Sequence, residues 1–174
     1  MSRRDAPDAP KRAPIYPLQW AGSALAADVR SLFVVGRLVR HPHTRHVLLI
    51  DDSHDDLFLT KRVLGRAGVS VPIISIDSGE QALGYLRAAG RGEAEDLRPA
   101  IVFCDLQMPA VNGLEILQTV RGLSSLNQLP FYILTGGDID KERARAEELG
   151  ASGFLRKFPS PEEFRRLFAA VGLV

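Results

Sequence analysis

From His46 onward, short apolar runs alternate with segments whose apolar residues recur at helical spacing. The runs are HVLLI (46–50), Val71 to Ile76, AIVFC (100–104), PFYILT (130–135) and the short GFLR (153–156). A wholly apolar run that ends in polar residues suits a parallel strand buried on both faces. Between them lie five amphipathic stretches. Asp55 to Gly68 carries a stripe of Leu59, Thr60, Val63, Leu64 and Ala67, and Gly68 closes it. Ser78 to Ala89 has Ser78 as N-cap and Gln81 three residues on, the spacing of a capping box. Gly113 to Arg121 buries Ile116, Leu117 and Val120, and Asp138 to Leu149 is capped by Asp138 and ended by Gly150. The last helix takes Ser160 as N-cap and Pro161 as its first residue, with Phe164, Leu167, Phe168 and Val171 as its buried stripe. Strands alternating with helices predict an α/β fold with a parallel sheet covered on both faces. Right-handed crossovers make that sheet doubly wound.

Upstream the pattern is different. Residues 1–45 read as an N-terminal extension and residues 46–174 as the folded domain. The extension opens on MSRRDAPDAPKRAPIYP, whose composition predicts disorder, and Ala24 to Arg40 follows with helical periodicity until His41-Pro42 stops it. That helix reads as a basic amphipathic segment for a membrane surface or partner, as packing on the domain, or as chain upstream of the true start. Ala24-Leu25-Ala26 has cleavage-site spacing, but Pro17 and Gln19 break the stretch before it, so an export signal is not favoured. No apolar run approaches the ~18 residues of a membrane span.

The chain has 174 residues and a formal net charge of +1, which gives no general attraction to nucleic acid. The total hides an asymmetry: residues 1–46 hold 8 Lys/Arg against 3 Asp/Glu, and the remainder 14 against 18. One cysteine, Cys104, excludes an internal disulfide framework and a Cys-based zinc site, and it reads as a buried strand residue. His41, His43 and His46 have metal-ligand spacing without an evident fourth ligand and read as linker. His54, with Asp55 and Asp56, reads as a solvated helix start. Ile139, Ala146, Phe164 and Phe168 read as core, and Met108-Pro109 as loop geometry.

In a doubly wound sheet the ligand site lies at the carboxyl ends of the strands. Strand one ends in Asp51-Asp52, strand three in Asp105, and strand four in Thr135-Gly136-Gly137; Lys157 follows strand five. Three carboxylates, a hydroxyl and an ammonium therefore converge on one rim. Close carboxylates raise one another's pKa unless a cation joins them. Oxygen ligands without His or Cys suit Mg²⁺. A carboxylate can accept a phosphoryl group, with a metal and a lysine offsetting the charge on its oxygens.

The motifs LLIDDS (48–53), VFCDLQMP with NG following (102–113), ILTGG (133–137) and GASGFLRK (150–157) resemble those of a response-regulator receiver domain. The resemblance is to the stand-alone, CheY-like kind, and the long loop 90–99 is similar to receivers that partner phytochrome-type sensor kinases. It implies a flavodoxin-like (βα)5 fold with strand order 2-1-3-4-5. It implies Asp105 as phosphoacceptor, with Mg²⁺ held by Asp51, Asp52, Asp105 and the backbone carbonyl of Gln107. Lys157 would pair with the phosphate, Thr135 would be the switch hydroxyl and Phe154 the switch aromatic. The implied function is a single-domain response regulator in the cytoplasm, not an enzyme. It would be phosphorylated by a sensor histidine kinase or phosphotransfer protein and would signal by protein–protein contacts. A homodimer through helix four, strand five and helix five is implied too, where Asp140, Lys141, Arg143, Arg145 and Glu148 suit a polar interface.

Two positions depart from the family pattern. Lys157 is followed by Phe158 and then Pro159, whereas the family usually has Pro directly after the lysine. A cis bond before a non-proline residue would cost about 3 kcal/mol. Phe154 stands where a Tyr could use its hydroxyl. The first departure motivates an alternative, a receiver-like interaction module that is not phosphorylated. An aspartate-nucleophile hydrolase is disfavoured because its Asp-x-Asp after the first strand is missing. A nucleotide-binding fold is disfavoured by the absence of G-x-G-x-x-G.

Overall fold

The computed structural model describes residues 45–92, 98–137 and 140–173. The extension with its helix 24–40, the middle of the loop 90–99, the Asp138 cap, Ile139, and the side chains of Asp140 and Lys141 lie outside the described residues.

Ten elements alternate along the chain: β1 (Val47–Ile50), α1 (His54–Arg66), β2 (Ile73–Ile76), α2 (Gly79–Gly90), β3 (Ile101–Asp105), α3 (Gly113–Gly122), β4 (Phe131–Thr135), α4 (Asp140–Glu148), β5 (Gly153–Arg156) and α5 (Pro161–Ala170). The five strands are all parallel and run in the order β2-β1-β3-β4-β5. This is the doubly wound (βα)5 sheet that the sequence pattern and the resemblance together predict.

Successive strand residues feed opposite faces, as the two-residue period of a strand requires. Leu48, Ile50, Val102, Cys104 and Ile133 pack with α2, α3 and Ala146 of α4. Val47, Leu49, Ile101, Phe103 and Leu134 pack with α1 and α5. On that second face Phe103 meets Phe164 edge-on at 5.1 Å between ring centroids and stacks on Tyr132 at 5.5 Å. Cys104, Ala146, Phe164 and Phe168 are all buried, as read from the sequence.

Capping chemistry sets the helix starts. Ser78 and Ser160 are the N-caps of α2 and α5, and Pro161 lies in the first turn of α5. Asn112 and Glu115 form a full capping box on α3. Gly113 follows that cap because a Cβ there would lie 2.4 Å from the carbonyl oxygen of Asp105. Gly68 and Gly150 end their helices at φ 83° and 81°, a region open to glycine. Arg45 donates to the carbonyls of Gly172 and Val171 at 3.2 and 2.6 Å, satisfying groups just past α5.

Two sequence readings need correction. The buried face of α1 holds Leu57, Thr60 and Leu64, while Leu59 is 42% exposed. Leu57, Thr60, Leu64 and Ala67 keep helical spacing; Leu59, two residues from Leu57, falls on the far side. His46 is not linker. It is buried at the foot of the sheet, and its Nε2 lies 2.9 Å from the Tyr85 hydroxyl of α2. A buried imidazole needs such a partner.

The α1 correction is testable. Leu57→Ala should cost about 2–4 kcal/mol in urea unfolding, and Leu59→Ala less than about 0.5 kcal/mol. Equal losses would return Leu59 to the core.

Candidate functional site

The strand order reverses direction between β1 and β3, so their carboxyl ends flank the switch point where such sheets bind ligands. Asp51 follows β1 directly and Asp105 is the last residue of β3. With Asp52 they form a group whose carboxylate oxygens lie within 4.8 Å of one another. Asp51 and Asp105 are buried and Asp52 is exposed. The amide of Ser53 donates to Asp51 Oδ1 at 3.0 Å and fixes that carboxylate.

Lys157 enters from the end of β5. Its amide donates to the Thr135 carbonyl at 2.7 Å, extending the β4–β5 ladder by one bond. Its Nζ lies 2.9 Å from Asp51 Oδ2, 3.3 Å from Asp105 Oδ2 and 2.6 Å from Asp56 Oδ2. Asp56 is the residue that sequence reasoning missed. Read as part of a solvated helix start, its half-buried carboxylate instead reaches the site lysine 101 positions away. The available signal was charge: the acids of β1 and α1 outnumber the cations that the strand ends supply. His54 and Asp55 are exposed, as expected, and His54 Nε2 lies 3.6 Å from Asp77.

Burial dominates the electrostatics. It pushes the Asp105 carboxyl up to about 6; the nearby Lys157 charge opposes this and the Asp51 charge adds to it. Asp51 is also raised by burial, against the Ser53 amide and Lys157, which hold it down. Burial alone would lower Lys157, but its bonds to Asp56 and Asp51 and the charge of Asp105 leave it raised. The rim thus concentrates more negative charge than one ammonium balances. Hard oxygen donors in that arrangement suit a divalent cation such as Mg²⁺.

The remaining predicted residues fall around this cluster. Thr135 is buried at the end of β4, with its Oγ1 accepting from the Gly137 amide at 3.2 Å. Gln107 is exposed two residues past Asp105, at the start of the loop into α3. Phe154 pairs with Ile133 in the sheet and lies half-buried against the α2–α3 core. The Arg143 guanidinium of α4 covers its ring at 5.9 Å, within cation–π range.

At the Lys157-Phe158-Pro159 departure, no cis peptide bond occurs among the described residues. Phe158 instead adopts φ 59°, the left-handed region that a bulky side chain rarely enters. Such a conformation costs on the order of 1–2 kcal/mol and is held by its surroundings. The lysine amide bonded to Thr135 on one side and the buried Pro159 on the other fix it here.

The raised Asp105 predicts a pH dependence with a definite sign. A carboxyl whose folded pKa of about 6 exceeds its ordinary 3.8 favours the folded state at low pH and loses that contribution as pH rises through about 6. Without divalent metal, Asp105→Asn should therefore be more stable than the parent by about 1–2 kcal/mol at about pH 7.5, and the gap should close towards about pH 4. Urea unfolding across pH measures it. A less stable Asn variant at neutral pH would contradict the burial argument.

The family model described as response regulator receiver domain matches residues 47–170. The two-component response regulator ARR6 of Arabidopsis thaliana is 31% identical over 129 residues, covering 72% of this chain and 68% of its own. Among solved structures, the bacteriophytochrome response regulator AtBRR is 31% identical with a TM-score of 0.63, covering 76% of this chain and 96% of its own. The bacteriophytochrome response regulator RtBRR is 34% identical with the same TM-score of 0.63, covering 75% and 79%.

Proposed function

The chain belongs to the response regulator receiver domain family, signalling modules of two-component systems, and on that premise we propose that it accepts a phosphoryl group on Asp105 from a histidine kinase or phosphotransfer protein. The observation that carries the reading is the buried Asp105 carboxylate, with the Lys157 ammonium 3.3 Å away and two further carboxylates beside it. In the transfer, an Asp105 carboxylate oxygen forms a bond to phosphorus. The phosphorus–nitrogen bond of the donor phosphohistidine breaks, its electron pair goes to the imidazole nitrogen, and that nitrogen takes a proton from solvent.

Asp51, Asp52, Asp105 and the Gln107 carbonyl would hold Mg²⁺, which when bound supplies charge stabilisation to the transferring phosphoryl oxygens. The chain's own groups do the rest. The Ser53 amide orients Asp51, and burial of Asp51 and Asp105 weakens competition from water. Lys157 pairs with a phosphoryl oxygen. The Thr135 hydroxyl, which now accepts from Gly137, is a donor free to turn towards another. Phe154 has no hydroxyl, so it responds to that movement by packing alone, beneath Arg143.

Residues 46–174 would be the phosphorylatable unit, with residues 1–45 as a basic extension outside it. Output would run by protein contacts of α4, β5 and α5, including a homodimer. On α4 the described charges Arg143, Arg145, Glu147 and Glu148 are exposed and pair with one another at 2.9–3.6 Å, so they are available to a polar partner. The two bacteriophytochrome response regulators among the similar structures favour a phytochrome-type sensor kinase as donor. The working compartment would be the cytoplasm; no described helix is long and apolar enough to cross a membrane.

The test is phosphotransfer from a panel of histidine kinases, together with labelling by acetyl phosphate. The parent should label in Mg²⁺ and lose labelling in a chelator, and Asp105→Asn should lose it in both. Undiminished labelling of Asp105→Asn would remove Asp105 as the acceptor. A parent that never labels would favour the unphosphorylated interaction module, for which the left-handed Phe158 beside Lys157 is the supporting observation.

A further inference from the structure

We propose that Asp56 is a positioning residue that holds the Lys157 ammonium back from the phosphoryl group on Asp105, and so limits how tightly the phosphorylated state is held. This rests on Asp105 being the phosphoacceptor.

An ammonium has three donors. Here it forms ion pairs with three carboxylates, and its hydrogen bond, also the shortest contact at 2.6 Å, goes to Asp56 rather than to Asp105 at 3.3 Å. Both partners are held by rigid elements. The Asp56 amide donates to Ser53 Oγ at the α1 cap, and the Lys157 amide donates to the β4 carbonyl of Thr135.

Two other capped helices show what the Asp56 carboxylate does not do. In α3 and α5 the acid at the third helical position reaches back to the N-cap amide: Glu115 to Asn112 at 2.9 Å and Glu163 to Ser160 at 2.7 Å. Asp56 holds the same position in α1, but the Ser53 amide is already bonded to Asp51. With its usual partner taken and one methylene fewer, its carboxylate turns to Lys157 instead. Ser53 thus serves the site twice, orienting Asp51 and releasing Asp56.

A phosphoryl group on Asp105 turns the 3.3 Å partner into an uncharged acyl oxygen and adds new anionic oxygens nearby. Lys157 must redirect a donor to them. Asp56 draws that donor the other way and neutralises part of its charge. Replacing Asp56 by a neutral isostere should strengthen the phosphorylated state, an effect opposite in sign to the loss expected of a merely structural residue.

The experiment titrates the full chain with beryllofluoride, which stands in for the phosphoryl group on a carboxylate, at saturating Mg²⁺, followed by backbone amide NMR. Asp56→Asn should bind about three- to tenfold more tightly than the parent. Asp56→Glu, which keeps the charge, should stay within about twofold, as should Asp55→Asn, which removes a neighbouring charge that does not touch Lys157. In a Lys157→Ala background the gain from Asp56→Asn should vanish, because the effect runs through that ammonium. Unchanged or weaker binding by Asp56→Asn overturns the inference, and so does an undiminished gain without Lys157. Absence of binding to the parent overturns the phosphoacceptor reading itself, which sets that failure apart from the others.

Discussion

Everything at the carboxyl end of the sheet depends on one cation shared among too many anions. Lys157 bridges carboxylates at the end of β1, in the first turn of α1 and at the end of β3. The sheet produces this arrangement because β1 and β3 are neighbours and the lysine just past edge strand β5 extends its side chain to their ends. Burial makes the arrangement costly. It lifts Asp51 and Asp105 above their ordinary range even with the lysine present. A site that is under-neutralised in this way is poised to gain from a divalent cation, because that cation relieves repulsion already built into the fold.

Most of the fold was legible because both periods are strong in this chain. The apolar runs have the two-sided burial of a parallel sheet, and the alternation with helices leaves little choice of topology. What was misread lay at margins. Leu59 and Leu57 both fit a helical pattern, and only the direction in which α1 faces the sheet decides between them. His46 sits at the boundary between extension and domain, where composition favours linker. Its burial depends on Tyr85 of α2, a contact between residues 39 positions apart.

The site was legible to a similar degree and failed for a similar reason. Asp51, Asp105, Thr135 and Lys157 lie at strand ends, whose convergence follows from topology alone. Asp56 lies on a helix, and a first-turn acid ordinarily reads as a cap or a dipole partner. Its engagement with Lys157 follows from a hydrogen bond elsewhere, between the Ser53 amide and Asp51, which no periodicity reveals.

The departure after Lys157 bears on the same cluster. Without proline directly after Lys157, residue 158 keeps its own amide N–H and its conformational freedom, yet the chain still leaves β5 through a left-handed residue, Phe158. The turn therefore rests on neighbouring contacts rather than on ring geometry. The hydrogen bond donated by the Lys157 amide to the Thr135 carbonyl, with Pro159 buried two residues on, anchors the lysine at the end of β5. Thr135 in turn ends β4, next to the strand that carries Phe154 under Arg143. The helix above that strand, α4, is thinly anchored: its one buried side chain among those described is Ala146. A helix with so little buried surface can shift at small cost while the sheet beneath it stays fixed. The structure thus sets a strand-end site held by the central sheet beside a polar helix that buries little of its own surface.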